Sequence, residues 1–110
     1  MNWKRITTTE HLSQLEEESR DNSVLIFKHS TRCSISDSAL GRLQRNWKEE
    51  NAEQMSCYYL DLIQFRDLSN RVAEKYGIRH ESPQALIIRD GKCVFSQTHS
   101  QIRLSDLLQA

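Results

Sequence analysis

The sequence predicts an α/β domain in which a central mixed sheet of four to five strands is flanked by helices. Three observations predict it: strand-like and helix-like patterns alternate along the chain, one apolar run suits a strand buried on both faces, and a late hairpin signal adds antiparallel strands. At 110 residues the chain has room for one hydrophobic core. We therefore expect a single domain over residues 1–110.

The first elements are a weak strand, a helix and a buried strand. A short strand is expected near residues 3–6, and a helix to about Ser19 begins at a capping box formed by Thr7 and Glu10. After a turn, Val24–Phe27 is apolar at every position. Such a run is typical of a central strand with helices on both of its faces.

The clearest helix is expected over residues 34–50. Apolar residues recur there at every fourth position and form one stripe. The stripe consists of Ile35, Ala39, Leu43 and Trp47, with Leu40 beside it. We expect this helix to pack the stripe against the sheet.

The second half of the chain predicts a strand, a helix, a hairpin and a last helix. Gly77 is the expected stop of the helix, and Asp90-Gly91 is the turn of the hairpin. The expected ranges are 57–60 for the strand, 67–76 for the helix, 85–89 and 92–96 for the hairpin, and 103–109 for the last helix. Because β-α-β connections require parallel strands, this order predicts a thioredoxin-like layout.

Charge and composition restrict the possible partners. Lys+Arg and Asp+Glu are balanced at 15 each, so no net field draws the chain to nucleic acid or to a membrane surface. No run approaches the roughly 18 apolar residues of a membrane span, and the first residues lack the apolar stretch of a secretory signal. We expect a cytoplasmic protein with no nucleic-acid or membrane partner, in a compartment that keeps thiols reduced.

The three cysteines, Cys33, Cys57 and Cys93, fit neither a disulfide framework nor a metal site. Their number is odd, and their spacings match no common zinc pattern. We expect no metal and no bound cofactor.

Cys33 stands between the buried strand and the clearest helix. The unpaired amides of the first helical turn and the positive end of the helix dipole favour a thiolate, which is the nucleophilic form of cysteine. Lys28, His29 and Arg32 lie nearby in the sequence and add positive potential, and the Ser36 hydroxyl could donate a hydrogen bond to the sulfur. The sequence therefore predicts thiol–disulfide chemistry at Cys33, the alternative being an ordinary helix-cap residue.

Ser36 stands where a dithiol oxidoreductase needs its second cysteine. Because serine cannot form that disulfide, the sequence predicts a mechanism with one cysteine. Cys33 would attack a mixed disulfide on a client protein, take over the small thiol and wait for an outside thiol to release it. Cys57 is expected to be a core residue, and the role of Cys93 is left open.

The only proline, Pro83, precedes the strand of the hairpin. A proline suits the first residue of a strand because it has no N–H to donate. We expect a cis Ser82–Pro83 peptide, which would expose the Ser82 backbone to a bound disulfide as a short strand does. His80 and Glu81 precede it in the same loop and are candidates to grip a small thiol.

The chain resembles the YtxJ-type monothiol bacilliredoxins, thioredoxin-like proteins of bacteria that use bacillithiol. The similarity covers nearly the whole chain and is carried by three segments. They are Phe27-Lys28-His29-Ser30-Thr31-Arg32-Cys33-Ser34-Ile35-Ser36, His80-Glu81-Ser82-Pro83-Gln84 and Thr98-His99-Ser100-Gln101-Ile102. The resemblance places the nucleophile at Cys33 and the family's proline at Pro83.

The resemblance implies an activity and a set of site residues. The activity is removal of bacillithiol from S-thiolated cytoplasmic client proteins, with free bacillithiol as the co-substrate that regenerates Cys33. The residues expected to stabilise the thiolate or to bind substrate are Lys28, His29, Thr31, Arg32, Ser36, His80, Glu81, Ser82 and Pro83.

Two positions depart from related patterns. The family usually has a proline directly after the nucleophile, where this chain has Ser34, and thioredoxins have a buried acid where this chain has Phe27. Loss of the proline removes no catalytic group, and loss of the acid removes the proton relay of a dithiol enzyme. The missing acid agrees with a monothiol mechanism.

Three other functions remain open at the level of the sequence. A non-catalytic adaptor would bind partners through residues 80–84. A redox sensor would pair Cys33 with Cys57 or Cys93 in an internal disulfide. An arsenate reductase would need an arginine arrangement for the oxyanion, and none is evident.

Overall fold

A computed structural model describes residues 1–110 as one five-stranded mixed sheet with helices on both faces. The strands are β1 (Lys4–Arg5), β2 (Ser23–His29), β3 (Met55–Asp61), β4 (Gln84–Arg89) and β5 (Lys92–Thr98). The helices are α1 (Thr9–Glu18), α2 (Ser34–Asn46), α3 (Arg66–Tyr76) and α4 (Leu104–Gln109), with short 3-10 helices at Glu49–Glu53 and His99–Gln101. The predicted α/β, thioredoxin-like architecture is confirmed.

The strand order is β1-β3-β2-β4-β5, which makes β2 the central strand. β1 and β2 are parallel to β3, β4 is antiparallel to β2, and β5 is antiparallel to β4. In this register His29 lies opposite Asp61 and Lys28 lies opposite Gln84. The carboxyl ends of β2, β3 and β5 and the start of β4 therefore meet at one edge of the sheet.

The hydrophobic core has two halves, one on each face of the sheet. Because successive strand residues point to opposite faces, Val24 and Ile26 pack with α1 and α3, whereas Leu25 and Phe27 pack with α2 and α4. All four of these side chains are fully buried. The continuous apolar run of β2 is thus explained by burial on both sides.

The start of α1 differs from the predicted capping box by one residue. Thr8 is the N-cap, and its hydroxyl accepts from the His11 N–H at 3.3 Å. The Thr7 N–H in turn donates to His11 Nδ1 at 3.0 Å. The predicted pairing of Thr7 with Glu10 is wrong, because the His11 ring occupies the place expected for a glutamate.

The observed α2 differs from the predicted helix at both ends. The helix ends at Asn46 rather than residue 50, since Trp47 turns into an extended conformation with ψ of 136° and its ring packs on the core half beneath α2. At the start, Ile35 is 49% exposed and Ser36 is buried. The predicted place of Ile35 on the buried stripe is therefore wrong, because Ser36 takes that place one turn before Ala39.

The predicted stops and turns are present. Gly77 ends α3 with a left-handed φ of 63°. Asp90 and Gly91 have φ values of 49° and 72°, the positive pair that a two-residue hairpin turn requires. No helix of the structure has the length and apolar content needed to cross a membrane.

Candidate active site

Cys33 is the N-cap residue of α2 and is partly exposed. Its N–H donates to the Ser30 carbonyl at 3.2 Å, and its carbonyl accepts the Asp37 N–H at 3.1 Å. Its side chain makes no capping hydrogen bond. The backbone of Cys33 is thus fixed by the turn while the sulfur remains free beside the amides of the first helical turn.

Ser36 is fully buried and makes two hydrogen bonds. Its hydroxyl accepts from the Ser30 N–H at 3.1 Å and donates to His29 Nδ1 at 2.6 Å. A hydroxyl has one proton, and here that proton serves His29. The expected bond from Ser36 to the Cys33 sulfur is replaced by this one, because the side chain points under the helix toward β2.

His29 holds the first turn of α2 to the end of β2. Asp37 Oδ1 lies 3.4 Å from His29 Nε2 and favours the tautomer with the proton on Nε2, in which Nδ1 accepts the Ser36 hydroxyl proton. Burial lowers the pKa of His29, and the nearby carboxylates of Asp37 and Asp61 partly oppose that shift. The imidazole therefore favours its neutral form, and it contacts the side chains of two consecutive residues of α2, Ser36 and Asp37.

Aromatic rings fix the orientation of His29. Its ring stacks on Phe27 with centroids 6.0 Å apart and tilts against Tyr59 at 5.5 Å. Trp3 lies behind them, 6.0 Å from Phe27 and 6.1 Å from Tyr59. Phe27, at the position of the missing acid, is thus part of the packing that supports His29.

Lys28 lies on the opposite face of β2 and is 0% exposed. Its Nζ donates to the Ser69 carbonyl of α3 at 3.0 Å and to His80 Nδ1 at 3.2 Å. Burial, with a smaller contribution from Arg66, lowers the pKa of Lys28 from 10.5 to about 8. The Ser69 hydroxyl oxygen lies 3.3 Å from the same His80 Nδ1.

Burial places Lys28 and His29 beneath the surface that a client protein would meet. Their side chains are held by α3 and α2, respectively. The sequence predicted that both residues stabilise the thiolate or bind substrate, and that remains a prediction. Their hydrogen bonds reach the elements on either side of β2.

The Ser82–Pro83 peptide is cis, as the sequence predicts. Pro83 is buried, and its carbonyl accepts from the His99 N–H at 3.1 Å. His99 has a φ of 54°, which is uncommon for a residue other than glycine. Buried Gln84 donates from its side-chain amide to the Arg79 carbonyl at 2.9 Å, which closes the loop before β4.

The remaining predicted site residues lie at the surface of the same sheet edge. Thr31 and Arg32 are exposed in the turn before Cys33, and Glu81 is partly exposed in the proline loop. Glu81 faces Arg79 at 3.9 Å, a distance at which an exposed pair contributes little. The Ser82 hydroxyl is buried without a hydrogen-bond partner.

A comparison of the chain with known families identifies its relatives. The model of the monothiol bacilliredoxin family, BrxC, matches residues 4–107. The chain belongs to the monothiol bacilliredoxin family. It is a thiol–disulfide oxidoreductase, and the resemblance found in the sequence is confirmed.

Solved structures agree with this assignment. A candidate oxidoreductase with a thioredoxin fold is 34% identical, with a TM-score of 0.83 over 97% of this chain and 91% of that one. A thioredoxin of Malassezia sympodialis is 16% identical, with a TM-score of 0.75 over 96% and 86% of the two chains. The Drosophila melanogaster germline thioredoxin Deadhead is 12% identical, with a TM-score of 0.74 over 96% of each chain. The last two show the shared fold alone.

The other two cysteines are poor partners for Cys33. Cys57 lies opposite Leu25 in the sheet. It is four residues before Asp61, the partner of His29, which is about 13 Å along the strand. A disulfide needs Cα atoms within about 7 Å. Burial raises the pKa of Cys57 to about 12 and also raises the pKa of Cys93, which packs on the other core half. Both thiols therefore stay protonated near neutral pH.

The larger cavities of the molecule lie away from Cys33. The largest, about 780 Å³, lies between α2 and α4 and is lined in part by Arg42, Asn46 and Leu104. The other four also lack Cys33.

Sequence reasoning missed four residues that support the site: Asp37, Tyr59, Ser69 and Gln84. Each acts through a contact with a residue outside its own helix or strand, such as Ser69 of α3 with His80. One local signal was present, because Lys28 and His29 directly follow the continuous apolar run Val24–Phe27. Basic residues that continue such a run predict buried polar partners.

Proposed function

We propose that the chain removes bacillithiol from S-bacillithiolated cytoplasmic proteins through a mixed disulfide on Cys33. The observation that carries the proposal is the contrast between Cys33 and Ser36. The Cys33 sulfur is free at the start of α2, while Ser36, at the resolving position, is buried and bonded to His29. A one-cysteine exchange is the chemistry that this pair supports.

The reaction has two balanced exchanges. The Cys33 thiolate attacks the bacillithiol sulfur of the client's mixed disulfide, that S–S bond breaks, and the client cysteine leaves as a thiolate. Cys33 then carries bacillithiol as a disulfide. A second bacillithiol thiolate attacks this bacillithiol sulfur, which releases the Cys33 thiolate and bacillithiol disulfide.

The surroundings of Cys33 support a protein client. In the proposed complex the Ser82 backbone pairs with the extended client chain as a short strand does. Exposed Ile35 and Arg32 flank the nucleophile and offer one apolar and one cationic contact. Thr31, His80 and Glu81 complete the proposed contact surface.

The decisive experiment uses a protein that carries a bacillithiol mixed disulfide on a single cysteine. Wild-type chain, Cys33→Ser and the double variant Cys57→Ala/Cys93→Ala are each mixed with it, and the adduct is followed by intact mass. We expect the adduct to move to Cys33 in the wild type and the double variant and to stay on the client with Cys33→Ser.

The same assay with a glutathione adduct separates the mechanism from the identity of the thiol. Transfer of glutathione without transfer of bacillithiol would refute the proposed thiol and leave the one-cysteine exchange intact. If neither adduct moves, the adaptor alternative replaces the proposal. An internal disulfide after mild peroxide treatment would favour the sensor.

A further inference from the structure

Lys28 is a buried lysine with no carboxylate bonded to it. It is 0% exposed, and the ion pairs of the chain join other residues. Lysine is rarely buried without a paired charge, since losing its hydration costs several kcal/mol. The residues around it are held to it by hydrogen bonds alone, from Nζ to Ser69 and His80.

The loop of residues 79–83 is tied at its two ends by other contacts. Gln84 donates to the Arg79 carbonyl at one end, and His99 donates to the Pro83 carbonyl at the other. Within the loop, His80 contacts Lys28 and Ser69. Lys28 therefore connects the loop at His80 to β2 and α3 at once.

We propose that Lys28 is a positioning residue that acts through His80 to fix the Ser82 backbone where it pairs with the client chain of the mixed disulfide. The inference rests on the proposed function, because it assumes that Cys33 attacks a disulfide lying along this loop. Lys28 touches no substrate itself. It sets the place of the loop that does.

The groups facing Lys28 make its effect specific to this loop. The charged or titratable neighbours are Arg66 on α3 and His80 on the loop. Its strand neighbours are the apolar Leu60 and the uncharged Gln84. Removing the ammonium therefore changes the environment of His80 and leaves His29, on the other face of the sheet, with its bonds to α2.

The test compares two disulfides that need the loop to different degrees. Lys28→Met fills the same space without a donor, and Val24→Ala on the same face of β2 is the control for a change of packing in that core half that leaves the bond between Lys28 and His80 in place. The client mixed disulfide uses the loop, whereas the aromatic disulfide DTNB needs only the thiolate. We expect Lys28→Met to slow attack on the client on the order of tenfold and attack on DTNB by about twofold or less.

Equal slowing of both reactions, or equal behaviour of Lys28→Met and Val24→Ala, would overturn the inference. A double-variant cycle tests the path through His80. If Lys28 acts through His80, then adding Lys28→Met to the His80→Ala variant should slow attack on the client disulfide little further. Additive effects of the two substitutions would refute that path.

An activity-independent readout accompanies the kinetics. Burial, Lys28 and Arg66 lower the pKa of His80, so Lys28→Met should raise the His80 pKa measured by NMR. An unchanged His80 titration would also refute the contact. Client proteins are prepared with either a bacillithiol or a glutathione adduct. If the thiol assignment is incorrect, the wild type is inactive on the bacillithiol adduct alone. The glutathione adduct then still measures the effect of Lys28→Met.

Discussion

The last two residues of β2 send basic side chains to opposite faces of the sheet, and the two faces hold them differently. His29 lies among aromatic rings and bonds to the first turn of α2, which carries Cys33. Lys28 lies between Leu60 and Gln84 of the neighbouring strands and bonds to α3 and to the proline loop. Each residue thus fixes one half of the site, the nucleophile on one side and the loop on the other.

The two faces differ in the charge state of the basic side chain that they bury. A neutral imidazole fits the aromatic face with both nitrogens paired, so His29 contributes to stability. A buried ammonium without a counter-ion opposes folding, so Lys28 is retained at a cost in stability. Adjacent positions in one strand can therefore serve the same site with opposite effects on the free energy of unfolding.

The largest expected effect is on the α2 face. His29→Ala should lower the free energy of unfolding by about 3 kcal/mol, because it leaves a cavity among the rings and a buried Ser36 hydroxyl proton without an acceptor. Urea denaturation measures it. His29→Phe is the matched variant, since it keeps the ring packing and removes the hydrogen bond. Equal stability of His29→Ala and the wild type would show that the two faces do not differ.

The second prediction uses the titration of Lys28. Its folded pKa is about 8 against 10.5 unfolded, so between these values the unfolded chain holds a proton that the folded chain has released, and stability rises with pH. The stability gained on Lys28→Met should therefore be largest at pH 7. It should shrink by up to about 3 kcal/mol by pH 10.5.

Comparing wild type with Lys28→Met at each pH removes the contribution of other groups. Burial raises the pKa of Tyr76 and of Cys57, each to about 12. These two groups therefore make stability fall as the pH rises, whereas Lys28 makes it rise. Both chains share those groups, so the difference reports Lys28. If the difference in stability between the two chains did not change with pH, folding would not lower the pKa of the Lys28 amine.

A third prediction sharpens the role of the bond between His29 and Ser36. Ser36→Ala should cost about 1–2 kcal/mol, because the Ser30 N–H and His29 Nδ1 lose their partner. Combined with His29→Phe, it should cost clearly less than the sum of the two, since both remove the same bond. Chemical denaturation of the four chains gives the coupling, and full additivity would contradict the geometry.

The smallest effect on stability is expected at the surface. Ile35→Ser should change the free energy of unfolding by about 0.5 kcal/mol or less, since the side chain is half exposed. We expect it to raise KM for a client mixed disulfide and to leave attack on DTNB unchanged. The exposed Val94→Ser on β5, away from Cys33, is the control and should change neither.

The sequence by itself determined the elements and the chemistry of the centre. The apolar run of β2, Cys33 at the start of α2, Pro83 before β4 and the Asp90-Gly91 turn are local patterns of a few residues. Strand alternation, helix capping and turn conformation act over that same short range, so each could be predicted. The missing second thiol at Ser36 likewise predicted a one-cysteine mechanism.

The tertiary structure decided which polar groups meet. Lys28 reaches His80, 52 residues away, because the register of β2 with β4 brings the proline loop beside it. Ser36 bonds His29 rather than Cys33 because α2 turns Ser36 inward and Ile35 outward. Such pairings depend on strand register and helix rotation, and these are set by packing of the whole core rather than by any short stretch of sequence.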